Sequence, residues 1–205
     1  MWPGNKLPSI PYSFFSISML ALLLQGCFLI RQIKGNIVTE NNAQEAAIAS
    51  WKESLPLEFN SSDSFQASYP QLALSNNGQA IIAWPQHDGE SYQIFISHFD
   101  GTTWNHPEGL VDSISLKGSN SQNISVSIND TGKILITWKQ EILSDDHVYF
   151  SYFNGTNWDH PTTLTDKISL SGSDATNPQA YINNSGKMII TWSQNDGSED
   201  QVYYS

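Results

Sequence analysis

The amino-acid sequence predicts an all-β protein built from repeated units of four antiparallel strands. A glycine recurs at a constant interval along the chain, and a tryptophan follows each glycine at a constant spacing. The glycines are Gly78, Gly132 and Gly186, and the tryptophans are Trp84, Trp138 and Trp192. A mostly apolar run leads to every tryptophan. A fixed period of this kind marks a repeat architecture, and four strands in a unit of this length predict β-propeller blades.

The composition limits the classes of function. The chain has 205 residues, a net charge of −11 and only nine lysines and arginines. Such a chain lacks the basic face that nucleic-acid phosphates require, so nucleic acid is excluded as a partner. Aromatic residues make up 12% of the chain, which favours a folded core over a disordered tail. The single cysteine, Cys27, excludes an internal disulfide.

Residues 1–27 are typical of an address segment. An apolar run from Phe14 to Leu24 has the length of a secretory signal core. It ends in Leu24-Gln25-Gly26-Cys27, which resembles the bacterial lipoprotein box and implies lipidation of Cys27. An uncleaved anchor is the alternative, because the apolar stretch extends to Ile30 and is followed by Arg31 and Lys34. Both interpretations place the protein at the bacterial cell envelope, tethered to a membrane, with its repeats outside the cytoplasm. A soluble protein is the third alternative.

Residues 28–64 form a predicted tether without repeats. Glu40 to Leu55 contains helix formers and a loose apolar face that includes Ala47 and Trp51. Pro56 ends this segment, so the sequence predicts a short helix within the tether.

The first predicted blade covers residues 65–118. Its four strands are Pro70–Leu74, Gln79–Trp84, Gln93–Phe99 and a short strand that begins at Thr102–Trp104. Asn76-Asn77-Gly78 predicts a tight hairpin, because these residues tolerate a positive φ. Asp100-Gly101 predicts a second hairpin, and Pro85 to Gly89 is interpreted as a loop.

The same order of elements predicts a second blade at residues 119–172 and a partial third blade at 173–205. In the second blade, Gly155 and Trp158 repeat Gly101 and Trp104. The third unit stops at Ser205, before the position of a fourth strand. Open blade faces and an open strand edge predict self-association or aggregation.

Two segments carry a resemblance to a known family. Ser97-x-x-Asp100-Gly101-x-x-Trp104 and its copy from Ser151 to Trp158 resemble the Asp-box hairpin of sialidase-like propellers. In that family the motif is Ser-x-Asp-x-Gly-x-x-Trp, and here Phe99 and Phe153 occupy the aspartate position. The ends of the blades are also similar to those of fucose lectins. The resemblance covers residues 65–205 and implies a propeller fold.

Sialidase chemistry is not expected from this polypeptide alone. The resemblance implies three arginines that bind the substrate carboxylate, beside a Tyr–Glu pair. Guanidinium groups suit that task because they bind carboxylates with two hydrogen bonds. Arg31 is the only arginine of the chain and precedes the repeats. No catalytic residue is assigned, and whether the protein is an enzyme stays open.

The remaining candidate residues have structural interpretations. His106 and His160 hold equivalent positions in the repeat, as do the tryptophans, which favours packing over ligand binding. Acidic loops at Asp88, Asp145 and Asp196 could offer oxygen ligands to a cation, but solvated turns are the simpler interpretation. No metal site and no cofactor are predicted.

The sequence therefore predicts a membrane-tethered, non-catalytic repeat protein that binds a glycan or a protein partner. Two alternatives remain open at this point. The chain could be a truncated piece of a sialidase-like glycoside hydrolase, or a non-functional remnant of a longer propeller gene.

Overall fold

The computed structural model describes residues 56–57 and 66–205, which form eleven strands and no helix. The prediction of an all-β chain of antiparallel strands is confirmed for these residues. The first sheet contains β1 (Gln71–Leu74), β2 (Ala80–His87), β3 (Tyr92–Phe99) and β4 (Trp104–Asn105). The second contains β5 (Ser121–Ile128), β6 (Ile134–Ile142), β7 (Asp145–Phe153) and β8 (Trp158–Asp159). The third contains β9 (Ala175–Ile182), β10 (Met188–Asn195) and β11 (Asp200–Tyr204).

Within each sheet the strands pair in chain order as antiparallel neighbours. A tight hairpin of the predicted kind joins the first two strands of every sheet. In the first sheet, Ser75 N–H donates to the Gln79 carbonyl at 2.8 Å and Gly78 N–H to the Ser75 carbonyl at 3.0 Å. Gly78 has a φ of 81°, a conformation that glycine adopts without steric cost. Asn76 and Asn77 keep negative φ values, and their side chains bind the neighbouring sheet instead.

The interpretation of Pro85 to Gly89 as a loop is wrong at its start, because β2 continues to His87. Pro85 pairs with Ile94 and Gln86 with Gln93. The Pro85 carbonyl accepts a hydrogen bond from Ser68 N–H at 3.1 Å. Proline lacks an amide hydrogen, which normally restricts it to strand positions that need no donor. The actual turn is Asp88–Ser91, closed by Asp88 N–H donating to the Ser91 carbonyl at 3.0 Å.

The fourth strand is only two residues long in both complete sheets. The linker to the next sheet covers much of the remaining edge. Ile114 N–H donates to the Ile94 carbonyl at 2.8 Å, and Ile94 N–H donates to Ser115 Oγ at 2.9 Å. The second linker follows this pattern at the equivalent repeat positions, with Ile168 N–H bound to the Val148 carbonyl at 2.9 Å. The repeated Ile-Ser of the linkers therefore covers the edge of the third strand with hydrogen bonds.

The three sheets pack face to face in chain order. Strand β5 lies against β1, β2 and β3, and β9 lies against β5, β6 and β7. We call the side of each sheet that points to the next sheet its forward face, and the opposite side its backward face. The first interface buries Ile81 and Ile94 against Ile134 and Ile136. The second buries an equivalent set, with Leu135 and Val148 packed against Ile182, Ile190 and Trp192.

A tryptophan and a glutamine two residues later anchor each sheet internally. The indole Nε1 of Trp84, Trp138 and Trp192 donates to the Oε1 of Gln86, Gln140 and Gln194 at 3.2, 3.3 and 3.1 Å. The amide groups of Gln140 and Gln194 then donate to the linker carbonyls of Leu116 and Leu170. Burial of an indole requires such a partner for its N–H group. These pairs therefore attach the incoming linker to the core of the next sheet.

Several predictions concern residues outside the described part of the chain. These are the signal or anchor at residues 1–27 with Cys27, the tether over most of its length, and the helix from Glu40 to Leu55. In residues 56–57 and 66–205, no helix is long and apolar enough to cross a bilayer.

Candidate functional site

The hairpins that resemble the Asp-box are held by their own side chains. Asp100 Oδ1 accepts hydrogen bonds from the backbone N–H groups of Thr102 and Thr103, both at 2.8 Å. Asn154 does the same for Thr156 and Asn157 at 2.9 Å. Both acceptors fix the turn. The polar residue that follows the phenylalanine therefore stabilises the hairpin, although it lies one position later than the aspartate of the Asp-box motif. The backbone bonds from Thr103 and Thr102 lower the pKa of Asp100.

His106 and His160 are bound into these hairpins. His106 Nδ1 lies 2.8 Å from Ser97 Oγ, and His160 Nδ1 lies 2.9 Å from Ser151 Oγ. Each imidazole stacks on the tryptophan of its own hairpin, with ring centroids 5.7 Å apart for Trp104 and 5.3 Å for Trp158. The serine, tryptophan and histidine of the repeat thus form one local cluster. Burial lowers the pKa of His160, so the neutral imidazole is favoured there.

A cleft of about 350 Å³ opens between the first and second sheets, next to these hairpins. One wall comes from the first sheet and its linker, and includes Asn105, His106 and Asp112. The other wall comes from the second sheet and includes Phe153, Trp158 and His160. Together the two walls contain aromatic rings, two imidazoles with bound Nδ1 atoms, an amide and a carboxylate. Binding pockets for small polar molecules commonly combine aromatic surface with a few polar groups in this way.

His98 is the exceptional residue of this cleft. Its side chain is 8% exposed, and its Nε2 atom has no hydrogen-bond partner. The imidazole ring lies edge-on to the rings of Phe153 and Trp158, with ring centroids 5.1 and 6.5 Å apart. Burial lowers the pKa of His98, against a smaller opposite effect of the Asp100 charge. A neutral imidazole with an unpaired nitrogen is a group that a ligand or a water molecule would be expected to complete.

Asp112 is positioned at the mouth of the same cleft by its own loop. Its Oδ2 atom accepts hydrogen bonds from Glu108 N–H at 2.8 Å and Gly109 N–H at 3.1 Å. Asp166 repeats this arrangement with Thr162 and Thr163 at 2.7 and 2.8 Å. The backbone bonds lower the pKa of Asp166.

A second hollow of about 450 Å³ lies at the equivalent position of the second sheet. Asp159, His160, Pro161 and Asp166 line it, and they are the repeat equivalents of Asn105, His106, Pro107 and Asp112. The hollow lacks a histidine like His98, because Tyr152 occupies that repeat position. No facing hairpin from the third sheet is present in residues 66–205. The complete cleft with its unpaired nitrogen therefore lies between the first two sheets.

The tryptophans named by the sequence fall into two groups. The first group is buried and consists of Trp84, Trp138 and Trp192. Each of these rings stacks on an aromatic residue of the third strand of its sheet, with ring centroids 6.3, 6.4 and 6.0 Å apart. This burial leaves no face of these rings for a sugar. Trp104 is exposed and Trp158 half-buried, so of the five tryptophans in residues 66–205 only these two hairpin residues reach the surface.

The acidic segments at Asp88 and Asp196 form turns, whereas the prediction of a loop at Asp145 and Asp146 is wrong, because both residues lie in strand β7 and pair with β6. Asp88 Oδ1 accepts from the N–H groups of Glu90 and Ser91 at 2.9 Å, and Asp196 Oδ1 from those of Ser198 and Glu199 at 2.9 and 3.1 Å. Asp146 forms an ion pair with Lys139 at 2.6 Å. Within residues 66–205, no cluster of three or more histidine, cysteine, aspartate or glutamate side chains is arranged to hold a metal ion.

Sequence reasoning did not identify His98, Asn105 or Asp112 as site residues. His98 is not shared by the repeats, so it gave no periodic signal. The departure from the repeat was the signal that could have identified this residue, because His98 stands where the second unit has Tyr152.

No known protein-family model matches this chain, and no curated protein is similar to it in sequence. Several solved structures are similar to parts of it. A Hadza microbial sialidase matches with a TM-score of 0.47 and 13% identity, over 67% of this chain and 34% of the sialidase. An endo-arabinase from Bacteroides thetaiotaomicron matches with a TM-score of 0.44 and 9% identity, over 71% and 57% of the two chains. A fucose lectin from Kordia zhangzhouensis matches with a TM-score of 0.35 and 12% identity, over 66% and 97%.

This chain thus spans about a third of the sialidase and somewhat more than half of the endo-arabinase. At TM-scores and identities this low, the matches do not establish a family for the chain.

Proposed function

We propose that this protein is a non-catalytic binding protein of the cell envelope, whose sheets are propeller-type blades and whose cleft between the first two sheets binds a carbohydrate. One observation carries the proposal. His98 Nε2 is buried in the wall of that cleft without a hydrogen-bond partner. Leaving a polar atom buried and unpaired costs about 1–3 kcal/mol, so its retention in a cleft supports a role in binding.

The chemistry of the wall favours a sugar over other small ligands. A hydroxyl group both donates and accepts, so it can pair with His98 Nε2 in either tautomer. The aromatic surface of Phe153 and Trp158 suits the apolar C–H face of a sugar ring. Asn105 and Asp112 add an amide and a carboxylate that can bind further hydroxyl groups. An anionic ligand is disfavoured by Asp112 and by the net charge of −11.

A binding role is favoured over catalysis by the same residues. In residues 66–205 there is no arginine, and both Asp112 and Asp166 use a carboxylate oxygen to cap their own loops. The cleft therefore holds groups for recognition, without the arginine cluster that the sialidase resemblance implies.

The proposal for the cell envelope rests on residues 1–27 alone. The motif Leu24-Gln25-Gly26-Cys27 supports lipidation of Cys27 in a bacterial host. Metabolic labelling with a palmitate analogue is expected to label the wild-type protein and not Cys27→Ser. Equal labelling of both proteins would contradict lipidation at this residue.

The binding proposal is tested with His98→Phe in the full chain. Phenylalanine keeps an aromatic ring against Phe153 and Trp158 and removes both ring nitrogens, including the unpaired Nε2. We expect the variant to be as stable as the wild type or more stable, because an unpaired buried group is lost. We expect its affinity for the ligand found on a glycan array to fall about tenfold, the equivalent of roughly 1.4 kcal/mol.

His87→Phe is the matched control, because His87 is a half-buried histidine at the far end of the same sheet. This variant is expected to bind like the wild type. Unchanged affinity of His98→Phe, or the absence of any glycan ligand for the wild-type chain, would contradict the proposal.

A further inference from the structure

The first strand of every sheet is interrupted by a β-bulge at the same repeat position. In the second sheet the pairing of β5 with β6 shifts between Gln122 and Ser125, and in the third sheet the pairing of β9 with β10 shifts at the equivalent place. In the first sheet, one extra residue lies on the same side of the ladder, between the paired residues Ala67 and Gln71. Bulges redirect a side chain, and they are over-represented next to functional sites.

One residue of each bulge has a left-handed backbone conformation. Its φ is 54° at Asn123, 53° at Asn177 and 46° at Tyr69. Asparagine adopts this conformation readily because its short polar side chain can bond locally, whereas a bulky residue is strained there. The first sheet therefore keeps a tyrosine where the other two sheets have the residue that suits the backbone. A strained residue that is retained in this way supports a functional role for its side chain.

Packing does not explain the tyrosine. Tyr69 is 83% exposed, so burial of its ring contributes little to stability. The strain at its backbone is therefore not offset by contacts of the side chain with the core. An exposed aromatic ring in a strained conformation is a feature that binding of a ligand would explain.

A pocket of about 230 Å³ lies beside Tyr69, between the first and second sheets. We call it the bulge pocket. It is distinct from the cleft that contains His98, because His98 pairs with Ile81, whereas Pro85 of the bulge pocket lies four residues further along β2 and pairs with Ile94. The residues that line the bulge pocket are Tyr69, Gln71, Pro85, Gln122, Asn123 and Ile124.

Every residue that lines the bulge pocket is uncharged. Gln122 and Asn123 are exposed, and each of their amide groups can both donate and accept a hydrogen bond. Gln71 Nε2 donates to the Pro70 carbonyl at 3.2 Å, which leaves the Gln71 carbonyl oxygen as an acceptor. Neighbouring hydroxyl groups of a sugar match such amides, and the Tyr69 ring suits the apolar C–H face of a sugar ring. A charged ligand would have no opposite charge in this wall.

We propose that the bulge pocket is a second binding site, which takes one residue of an uncharged carbohydrate with its ring on Tyr69. The site is independent of the cleft, since no residue lines both. At the equivalent place between the second and third sheets, Asn123 replaces Tyr69 and Lys139 replaces Pro85. The uncharged wall with an aromatic ring therefore belongs to the first interface. Two sites on one chain increase the avidity for a polymeric ligand.

Tyr69→Asn tests the proposal in the full chain, because asparagine is the residue of the other two bulges. A tyrosine kept for binding costs stability, so we expect the melting temperature of the variant to rise by about 2–4 °C as the strain is removed. Tyr181→Asn is the matched control. Tyr181 is 61% exposed on β9, has no positive φ and lines neither pocket. No rise in the melting temperature is expected for this control.

Binding is measured by isothermal titration calorimetry with four uncharged probes: cellotetraose, xylotetraose, mannotetraose and tetra-N-acetylchitotetraose. All proteins are kept in the same polyoxyethylene detergent, which contains no sugar. At least one probe is expected to bind the wild type and Tyr181→Asn equally, and Tyr69→Asn about tenfold more weakly. Tyr69→Phe should keep most of the affinity, because the face of the ring remains. His98→Phe should bind this probe like the wild type, since His98 lines only the cleft.

The absence of any probe whose affinity depends on Tyr69 would overturn the proposal. A lower melting temperature of Tyr69→Asn would also contradict it, because the fold would then require the tyrosine. A probe that responds to His98→Phe and not to Tyr69→Asn would support the cleft and exclude the bulge pocket, so a failure of one site is distinguished from a failure of the other.

Discussion

The second and third sheets share a repeat sequence but differ in what covers them. In both sheets, the tryptophan donates to the glutamine two residues later, and the first hairpin closes with the same backbone bonds. Their forward faces differ completely, since Val148 is fully buried and Val202 is mostly exposed. The comparison teaches that the repeat encodes the interior of each sheet, whereas burial of its faces depends on a neighbour.

Removal of the anchoring tryptophans gives the largest expected effect. Trp138 and Trp192 both lie on covered backward faces and are at most 4% exposed. Trp138→Ala and Trp192→Ala are each expected to lower the free energy of unfolding by about 3–5 kcal/mol, because both leave a cavity and an unpaired glutamine. Chemical denaturation measures this loss. A loss below roughly 1 kcal/mol in either variant would show that the backward face of that sheet is not covered.

A smaller expected effect is the pH dependence of stability that one buried histidine contributes in the second sheet. The equivalent position of the first sheet does not contribute it. His147 is buried, and its Nε2 atom lies 2.9 Å from Lys167 Nζ. Burial and then the Lys167 charge lower the pKa of His147, against weaker opposite effects of Asp145 and Asp146. The unfolded chain therefore takes up a proton at higher pH than the folded chain does. Stability is lost as the pH falls below about 6.5, the ordinary value for histidine.

His147→Gln introduces the residue that the first sheet has at the equivalent position, Gln93. The melting temperature of this variant is expected to fall less than that of the wild type between about pH 7.5 and 5.5. His98 and His160 also have lowered pKa values, so a smaller dependence should remain. An unchanged pH dependence in the variant would contradict the assignment to His147.

The sequence was sufficient for features that depend on local or repeated chemistry. Gly78 and Asp100 predicted their hairpins because the conformation of a tight turn depends on the residues within it. The third strand was predicted from β-branched and aromatic residues, and β3 spans nearly the same residues. These signals are short-range, and the repeat supplied each of them more than once.

Features that depend on distant partners could not be predicted in this way. The extension of β2 through Pro85 depends on pairing with Ile94 and on Ser68, which no local pattern indicates. The cleft requires two sheets to meet, and the ring of His98 packs against Phe153 and Trp158 of the next sheet. Gln140 and Gln194 did follow the repeat, so attention to every match between the units would have identified them.

The most direct test compares the same substitution, valine to alanine, at one repeat position in two different sheets. Val148→Ala and Val202→Ala are compared by equilibrium denaturation at a protein concentration low enough to keep the chain monomeric. Val148→Ala is expected to cost about 1.5–3 kcal/mol, because two buried methyl groups are removed. Val202→Ala should change stability by no more than about 0.5 kcal/mol, as for other exposed positions. Equal losses in the two variants would contradict the claim that neighbouring sheets, and not the repeat itself, determine burial.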